Sequence, residues 1–553
     1  MPLHQFDYLF VIGTIFVVLN AWNIGANDVA NAWASAVASL SISYIGAMSV
    51  ASVMEFSGAV FAGAGVTDTI RNGIIDTAQF ADNPPLLMLG MVCAVTASAL
   101  CLTIATKVGM PVSSTHTLIG GLMGFGIAAL GTGAVKWVAD EPGVAAISSG
   151  VVQVFITWVI APCLAGVFAA LIFTITKFTV LLRQRPEMKG LVLFPVYFSA
   201  TGSLIALLLL SKGGTIKVAD EQVPAVVIGI GLGTGGLVAL TLVPWLYRTA
   251  ILDDWQLKWY DMWKGPFLLR RGPVPPNPSE SSVPAERPRP LSLNLHSRQN
   301  SSDIESNVVK DEVTPVVTEV VPHKSLIGPK PDGPWHSKEL LWWAVKFAVL
   351  HGVDKDVVNL QNEGDGSLSK NINEMHARSV QYDAKAEHLF KFLQVLTSAT
   401  ASFAHGANDV SNAIGPYTTI FEIWRDGKLS TSSEIPTWIL VGAGFGIVVG
   451  LWTYGYNIMK NLGNKLTLLS PSRGFSIDVG SATTVILATK LGLPVSTTQC
   501  ITGATVGVGL CNGDWRSINW RIIAFIYSGW IFTLPVAATL SGALMGFIIN
   551  APQ

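Results

Sequence analysis

Charge is scarce in this chain. Asp, Glu, Lys and Arg supply 13% of its 553 residues, half of all positions are hydrophobic, and the formal net charge is −1. So apolar a composition excludes an ordinary soluble fold and reads as a polytopic membrane protein. A balance this close to neutral leaves no basic surface for a nucleic-acid partner. Cysteine is sparse and unpatterned. Cys93, Cys101, Cys163, Cys500 and Cys511 lie within or at the ends of apolar runs, are odd in number and show no CxxC spacing. Neither a disulfide framework nor a zinc site is indicated, and the five read as small hydrophobes packed between helices. There is no HExxH, no Cys/His cluster and no Gly-rich nucleotide loop, so the common signatures of an enzyme are missing. The first twenty residues hold no Lys or Arg. Without a basic n-region, the first apolar run reads as a retained helix rather than a cleaved signal.

What is present is a series of apolar runs of about 20 residues, the length that spans a bilayer. They lie near 8–40, 43–66, 86–107, 111–131, 145–182, 190–211, 223–247, 387–422, 435–457, 475–490, 494–511 and 520–548. They predict an all-α fold with roughly twelve membrane segments. Between 249 and 386 the composition turns Pro-, Ser- and charge-rich, with Pro273-Val-Pro-Pro-Asn-Pro278 and Arg287-Pro-Arg-Pro290. The chain therefore divides into an N-terminal membrane half (1–248), a central loop (249–386) and a C-terminal membrane half (387–553). The middle of the loop cannot bury enough apolar surface to offset ordering entropy and is expected to be disordered. Trp335–Leu350, with Trp342, Trp343 and Phe347 beside Lys338 and Lys346, reads as an amphipathic helix on the membrane surface, or as one facing solvent or a partner.

Basic residues set the orientation. Arg183, Arg185 and Lys189 cluster in one short connection, and Lys258, Lys264, Arg270 and Arg271 open the central loop two spans later. Both connections are expected on the cytoplasmic side. Counting spans from there places both termini outside and returns Lys460, Lys465, Arg473, Arg516 and Arg521 to the cytoplasm. Asn300-Ser301-Ser302, the one glycosylation triplet, falls in the cytoplasmic loop and should stay unmodified.

Two blocks occur twice. Gly25-Ala-Asn-Asp-Val-Ala-Asn-Ala32 returns as Gly406-Ala-Asn-Asp-Val-Ser-Asn-Ala413, and Thr106-Lys-Val-Gly-Met-Pro-Val-Ser-Ser-Thr-His116 returns as Thr489-Lys-Leu-Gly-Leu-Pro-Val-Ser-Thr-Thr-Gln499. A carboxylate inside hydrocarbon costs several kcal/mol, so Asp28 and Asp409 must face protein, water or an ion. Gly25 and Gly406 would permit a break in each helix. Asn27, Asp28, Asn31, Asn408, Asp409 and Asn412 offer hard oxygen ligands suited to a small cation such as sodium; packing of helices through Asn and Asp is the alternative. In the second block Gly-x-Pro ends one apolar run and starts another, with Pro111 or Pro494 in the first helical turn. Free amides, the positive dipole end and Ser/Thr hydroxyls then form an anion site inside the membrane, and phosphate fits it. Irregular backbone at that depth must face protein or water, so 86–131 and 475–511 read as re-entrant hairpins entering from opposite sides. Two inverted repeats with the site between them are the design of secondary transporters.

Both blocks resemble the signature repeats of the inorganic phosphate transporter family, most closely its sodium-coupled fungal and animal members. The likeness covers both membrane halves but not the central loop. It implies symport of inorganic phosphate with sodium, or with protons in some branches, by an elevator-like or rocking alternation of access at the plasma membrane. Sodium is then a co-substrate and no cofactor is implied; the bilayer is the remaining partner, and a homodimer stays open. Phosphate is expected at Ser113, Ser114, Thr115, Ser496, Thr497 and Thr498, near Asp28 and Asp409. The resemblance adds two candidate coupling residues. Glu55 is similar to an acidic family position, its alternative being a pair with Arg71. Asp478 stands where relatives often carry Glu, while Met91 replaces an acid that many animal members have, which leaves stoichiometry open. His116 and His405 flank the motifs, as packing residues or as groups tuning pH dependence. Lys107 and Lys490 precede the tips, attracting phosphate or snorkelling to water. A channel would need a continuous pore instead of two hairpins, and an enzyme a nucleophile or metal triad that the sequence lacks. A carrier that also senses phosphate through its central loop, or couples to protons, remains the alternative.

Overall fold

The computed structural model describes residues 4–64, 73–138, 150–210, 218–276, 325–334, 336–362, 372–428, 435–491, 493 and 495–551. The protein is all-helical: among the described residues there is no strand, only an isolated bridge between Ile75 and Val135. The principal helices are α1 (Asp7–Ala38), α2 (Tyr44–Ala62), α3 (Pro84–Val108), α4 (Ser114–Leu130), α5 (Gly150–Thr176), α6 (Pro186–Leu210), α7 (Val223–Leu240), α8 (Lys338–Leu350), α9 (Ala384–Asp409), α10 (Ser411–Asp426), α11 (Thr437–Tyr454), α12 (Pro471–Leu491), α13 (Thr497–Leu510) and α14 (Trp520–Ile549). Among the described residues, eight helices are long and apolar enough to cross a membrane. The helices that follow the Gly-x-Pro motifs are shorter. With 17 residues in α4 and 14 in α13, they reach about 20–25 Å at 1.5 Å per residue, less than the roughly 30 Å hydrocarbon core.

Local chemistry sets the ends. The side chains of Ser43, Asn83, Asp383 and Asn519 accept first-turn amides of α2, α3, α9 and α14, and Gly109 at φ 77° stops α3. The tips differ from expectation in one respect. Ser113, not Pro111, starts α4: its hydroxyl accepts the His116 amide, as Ser496 accepts that of Gln499. A hydroxyl that satisfies an orphan donor is the better cap, so Pro111 lies in the extended approach to the helix.

A second difference concerns Gly25. No break occurs there, since α1 runs continuously from Asp7 to Ala38. In the second copy α9 passes into α10 at Val410, whose φ of −56° and ψ of −32° stay helical, and there is no break at Gly406 either. Both glycines serve helix crossing instead. A Cβ on Gly25 would lie 1.9 Å from the Ile447 carbonyl oxygen of α11, and one on Gly406 would lie 2.2 Å from the Glu55 carbonyl oxygen of α2. Only hydrogen fits at either crossing.

These crossings belong to a reciprocal exchange. Helix α1 packs on α11 and α9 packs on α2; likewise α4 packs on α14 and α13 packs on α5. Each polar knot and each tip is thus backed by a helix from the other end of the chain. All five cysteines are free.

Around the central loop, α8 is a helix with Leu341, Trp342, Val345 and Phe347 exposed and the Lys346 ammonium 5.7 Å from the Trp342 ring. The loop's flanks also carry short helices at Trp259–Arg270, Val357–Asn362 and Ile372–Ala377. The segment expected to be disordered, and the Asn300-Ser301-Ser302 triplet, lie outside the described residues.

Gly25→Ala and Gly406→Ala should each lower the thermal midpoint of the detergent-solubilised protein. Overpacking of this kind costs about 1–3 kcal/mol even where the backbone can shift. Fluorescence-detected thermal denaturation beside the parent chain checks this, and unchanged midpoints would mean that the crossings yield freely.

Candidate functional site

Five helices bring polar side chains into one buried volume. Asp28 and Asn31 come from α1, His405 and Asp409 from α9, and Asn412 from α10. Ser114 and Thr115 open α4, and Thr497 and Thr498 open α13. None of these nine is more than 8% exposed. Asp28 and Asn31, like Asp409 and Asn412, sit about one turn apart and so share a helix face.

The two copies hold each other crosswise. The Asn31 amide donates to Thr498 Oγ1 at 2.9 Å and reaches Thr497 Oγ1 at 3.4 Å. The Asn412 amide donates to Ser114 Oγ and Thr115 Oγ1, both at 3.1 Å. Each knot thus binds the tip of the opposite repeat. The tip hydroxyls pass the contact on: Thr498 Oγ1 donates to Asp28 Oδ1 at 3.3 Å, and Thr497 Oγ1 to Asp409 Oδ2 at 3.1 Å.

His405 lies at the centre, where sequence reasoning had favoured a packing residue. Its Nδ1 is 2.6 Å from Glu55 Oε2, and its Nε2 is 2.9 Å from Asp409 Oδ2 and 3.9 Å from Asp28 Oδ2. The Nδ1 contact is a hydrogen bond, whereas Nε2 meets the Asp409 carboxylate at close range without hydrogen-bond geometry. Ser402 completes the cluster by donating to Glu55 Oε1 at 2.9 Å. Sequence reasoning missed Ser402, although its spacing of three from His405 puts both on one face of α9. Glu55 therefore belongs to the site. Arg71, its alternative partner, lies outside the described residues.

Other sequence candidates stand further off. Asn27 spends its amide on the approach to the first tip: Nδ2 donates to Thr106 Oγ1 at 3.0 Å and to the Met110 carbonyl at 3.2 Å, and Oδ1 accepts the Val112 amide at 3.1 Å. It positions the tip, its oxygen engaged by the Val112 amide. Asn408 donates to Asp409 Oδ1 at 2.6 Å. Ser113 and Ser496 are caps. Asp478 is fully buried on α12 and accepts from Ser35 at 2.9 Å and Ser398 at 2.5 Å. Because α3 and α12 both run unbroken into their tips, the register of the duplicated block places Asp478 opposite Val95 rather than Met91. His116 packs on Trp158 with ring centroids 5.0 Å apart, behind the first tip. Lys107 is exposed, as snorkelling requires, and the Lys490 side chain lies outside the described residues.

Two kinds of binding capacity meet here. The starts of α4 and α13 offer hydroxyls and first-turn amides to an anion. Asp28 Oδ2, Asn31 Oδ1 and Asn412 Oδ1 are buried oxygens with no hydrogen-bond partner, and ligand atoms of Asp28, His405 and Asp409 lie within 4.8 Å of one another. A buried oxygen without a donor is costly, and a small hard cation would satisfy it. The donor set therefore fits sodium.

An all-helical, multi-pass membrane protein with anion and cation ligands at one interior point belongs to the class of membrane transporters. Comparison with known proteins specifies which. Residues 24–541 match the model of the phosphate transporter family. The chain is 51% identical to a phosphate-repressible phosphate permease of Neurospora crassa over 100% of this chain and 99% of that one. It is 28% identical to sodium-dependent phosphate transporter 1-B of Danio rerio, covering 98% and 96% respectively. A solved structure titled "The sodium-dependent phosphate transporter" superposes with a TM-score of 0.67 at 26% identity, over 99% of this chain and 100% of that one. The protein belongs to the phosphate transporter family, and these relatives are permeases and transporters rather than enzymes.

Ser114→Ala and Thr497→Ala each delete one tip hydroxyl and should raise the apparent KM for phosphate with little change in maximal rate. A hydrogen bond to a charged group contributes about 1.5–3 kcal/mol, equivalent to a factor of roughly 10–150. Initial uptake rates against phosphate concentration decide this; an unaltered KM in both variants would move phosphate away from the tips.

Proposed function

We propose that this chain carries inorganic phosphate into the cell together with sodium, by alternating access at the plasma membrane. The observation that carries the reading is the crossed set of bonds from Asn31 to Thr497 and Thr498 and from Asn412 to Ser114 and Thr115. A site tied equally to both halves changes when the halves move against each other, which is what alternating access needs. In this reading residues 1–248 and 387–553 are the two transport halves, the termini are outside, and 249–386 is a cytoplasmic connection.

Phosphate sits against the hydroxyls and free amides of the two tips. Sodium sits at the oxygens of Asp28, Asn31, Asp409 and Asn412, and offsets part of the phosphate charge that these carboxylates would repel. The carboxylates also favour an anion that still bears a proton, because a phosphate O–H can donate where sulfate only accepts. Arsenate should accordingly compete with phosphate, and sulfate much less. The names of the relatives support sodium as the coupling ion. The His405–Glu55–Asp409 chain is the specific observation in favour of the second reading, proton coupling, since it is a ready-made path for a proton among buried acids.

Proteoliposomes under crossed gradients separate the two. An inward sodium gradient at equal pH should drive concentrative uptake of labelled phosphate, and a pH gradient without sodium should not. Asp28→Asn and Asp409→Asn should each abolish the sodium-driven component. Concentrative uptake that follows pH and ignores sodium would replace sodium by the proton.

A further inference from the structure

The duplicated halves differ on the two sides of the site. In the N-terminal half, above the first tip, α1 and α3 are joined by the fully buried side chains of Asn20, Asn23 and Ser98 and the partly buried Thr103. Ser98 Oγ donates to Asn20 Oδ1 at 3.2 Å and shares a hydrogen bond with Thr117 of α4 at 2.9 Å. Asn23 Nδ2 donates to the Ala99 carbonyl at 3.2 Å and to Thr103 Oγ1 at 2.9 Å. Asn20 Nδ2 also donates to the Asn412 carbonyl at 3.2 Å, which ties this zipper to the binding site.

Continuous helices keep the repeat register, so each member has a counterpart. Asn20 and Asn23 correspond to Ala401 and Ala404; Ser98, Thr103 and Thr117 correspond to Ser481, Ile486 and Cys500. The counterpart side has lost four of five polar groups and cannot form the zipper. A cavity stands there instead, lined by Ala401, Ala404 and Ser481 and reaching Asn31, His405 and Thr497 of the site. On the orientation proposed above, the zipper faces the outside and the cavity the cytoplasm.

We propose that Asn20, Asn23, Ser98 and Thr117 form the outer gate of the carrier, and that its hydrogen bonds bias the empty protein toward the state shut outside and open toward the cytoplasm. The proposal rests on the phosphate-carrier reading for its consequence in transport, but not for the conformational bias. Breaking one neutral bond of the gate shifts the balance toward the outward-open state. That improves apparent affinity for external substrate, because affinity is reduced by the fraction of protein that is not competent to bind.

The test reads the two sides separately. In inside-out vesicles a membrane-impermeant maleimide should modify Ala401→Cys in the cavity, above the background of the native cysteines. Adding Ser98→Ala or Asn20→Ala should slow this reaction by at most about two- to fivefold, because a lost neutral hydrogen bond changes the conformational equilibrium by roughly three- to tenfold and the favoured state gives up only part of that factor. In right-side-out vesicles Ser98→Ala and Asn20→Ala should lower the external KM for inorganic phosphate by a larger factor, approaching the roughly three- to tenfold change in the equilibrium, because the minor outward-open state gains nearly all of it. Ser98→Ala removes only a hydroxyl and keeps the test available should Asn20→Ala fold poorly. Unchanged modification rates together with an unchanged external KM in a folded Ser98→Ala chain overturn the gate. Modification shifting as described in a parent chain that takes up no phosphate supports the gate and removes the carrier reading.

Discussion

Buried acid in an apolar chain is the constraint from which the rest of this molecule follows. Asp28, Asp409, Glu55 and Asp478 are each at most 1% exposed, in a protein with little charge elsewhere in its membrane halves. None can be tolerated at that depth without partners, and the partners come from distant sequence: Thr497 and Thr498 from the second tip, His405 and Ser402 from α9, Ser35 and Ser398 from two different helices. The tertiary structure is the arrangement that supplies them. Cross-pairing of the halves, glycine at the tightest crossings and serine at the helix starts all serve to bring short side chains within hydrogen-bond distance of four carboxylates.

Much of this was legible in the sequence because the physics is local. Apolar runs of spanning length became helices. Ser113 and Ser496 announce helix starts through the hydroxyl alone, although the adjacent prolines drew the boundary too early. What was hidden depended on which helix lies opposite. Nothing in Gly25-Ala-Asn-Asp tells whether the glycine bends its own helix or admits a neighbour's carbonyl; the Ile447 backbone answers that, from the other half of the chain. Asn27 and Asn31 read alike as oxygen ligands. Only the fold shows that the first is spent on the Val112 amide, while the second keeps a free oxygen at the centre.

Symmetry proved informative chiefly where it fails. His405 has Ile24 as its counterpart, and Glu55 reaches the centre only through His405, so the acid–imidazole chain belongs to one side of the site. The zipper of Asn20, Asn23, Ser98 and Thr117 belongs to the other. A perfectly duplicated carrier would weigh its two states equally; each departure from duplication is a place where the chain can favour one direction of movement.

The exchange of backing helices has a consequence for how the protein is made. The first tip, at the start of α4, is covered by α14, the last helix in the described structure, and α1 finds its tightest neighbour in α11. During synthesis the first half therefore reaches the membrane with its buried acids and hydroxyls facing no partner, and it must wait in that condition until almost the whole chain has followed. Domain-by-domain folding is not open to such a molecule. The polar residues that serve the carrier are the ones that make its early half the most vulnerable to quality control, and defects in α14 should be read out as loss of the first tip.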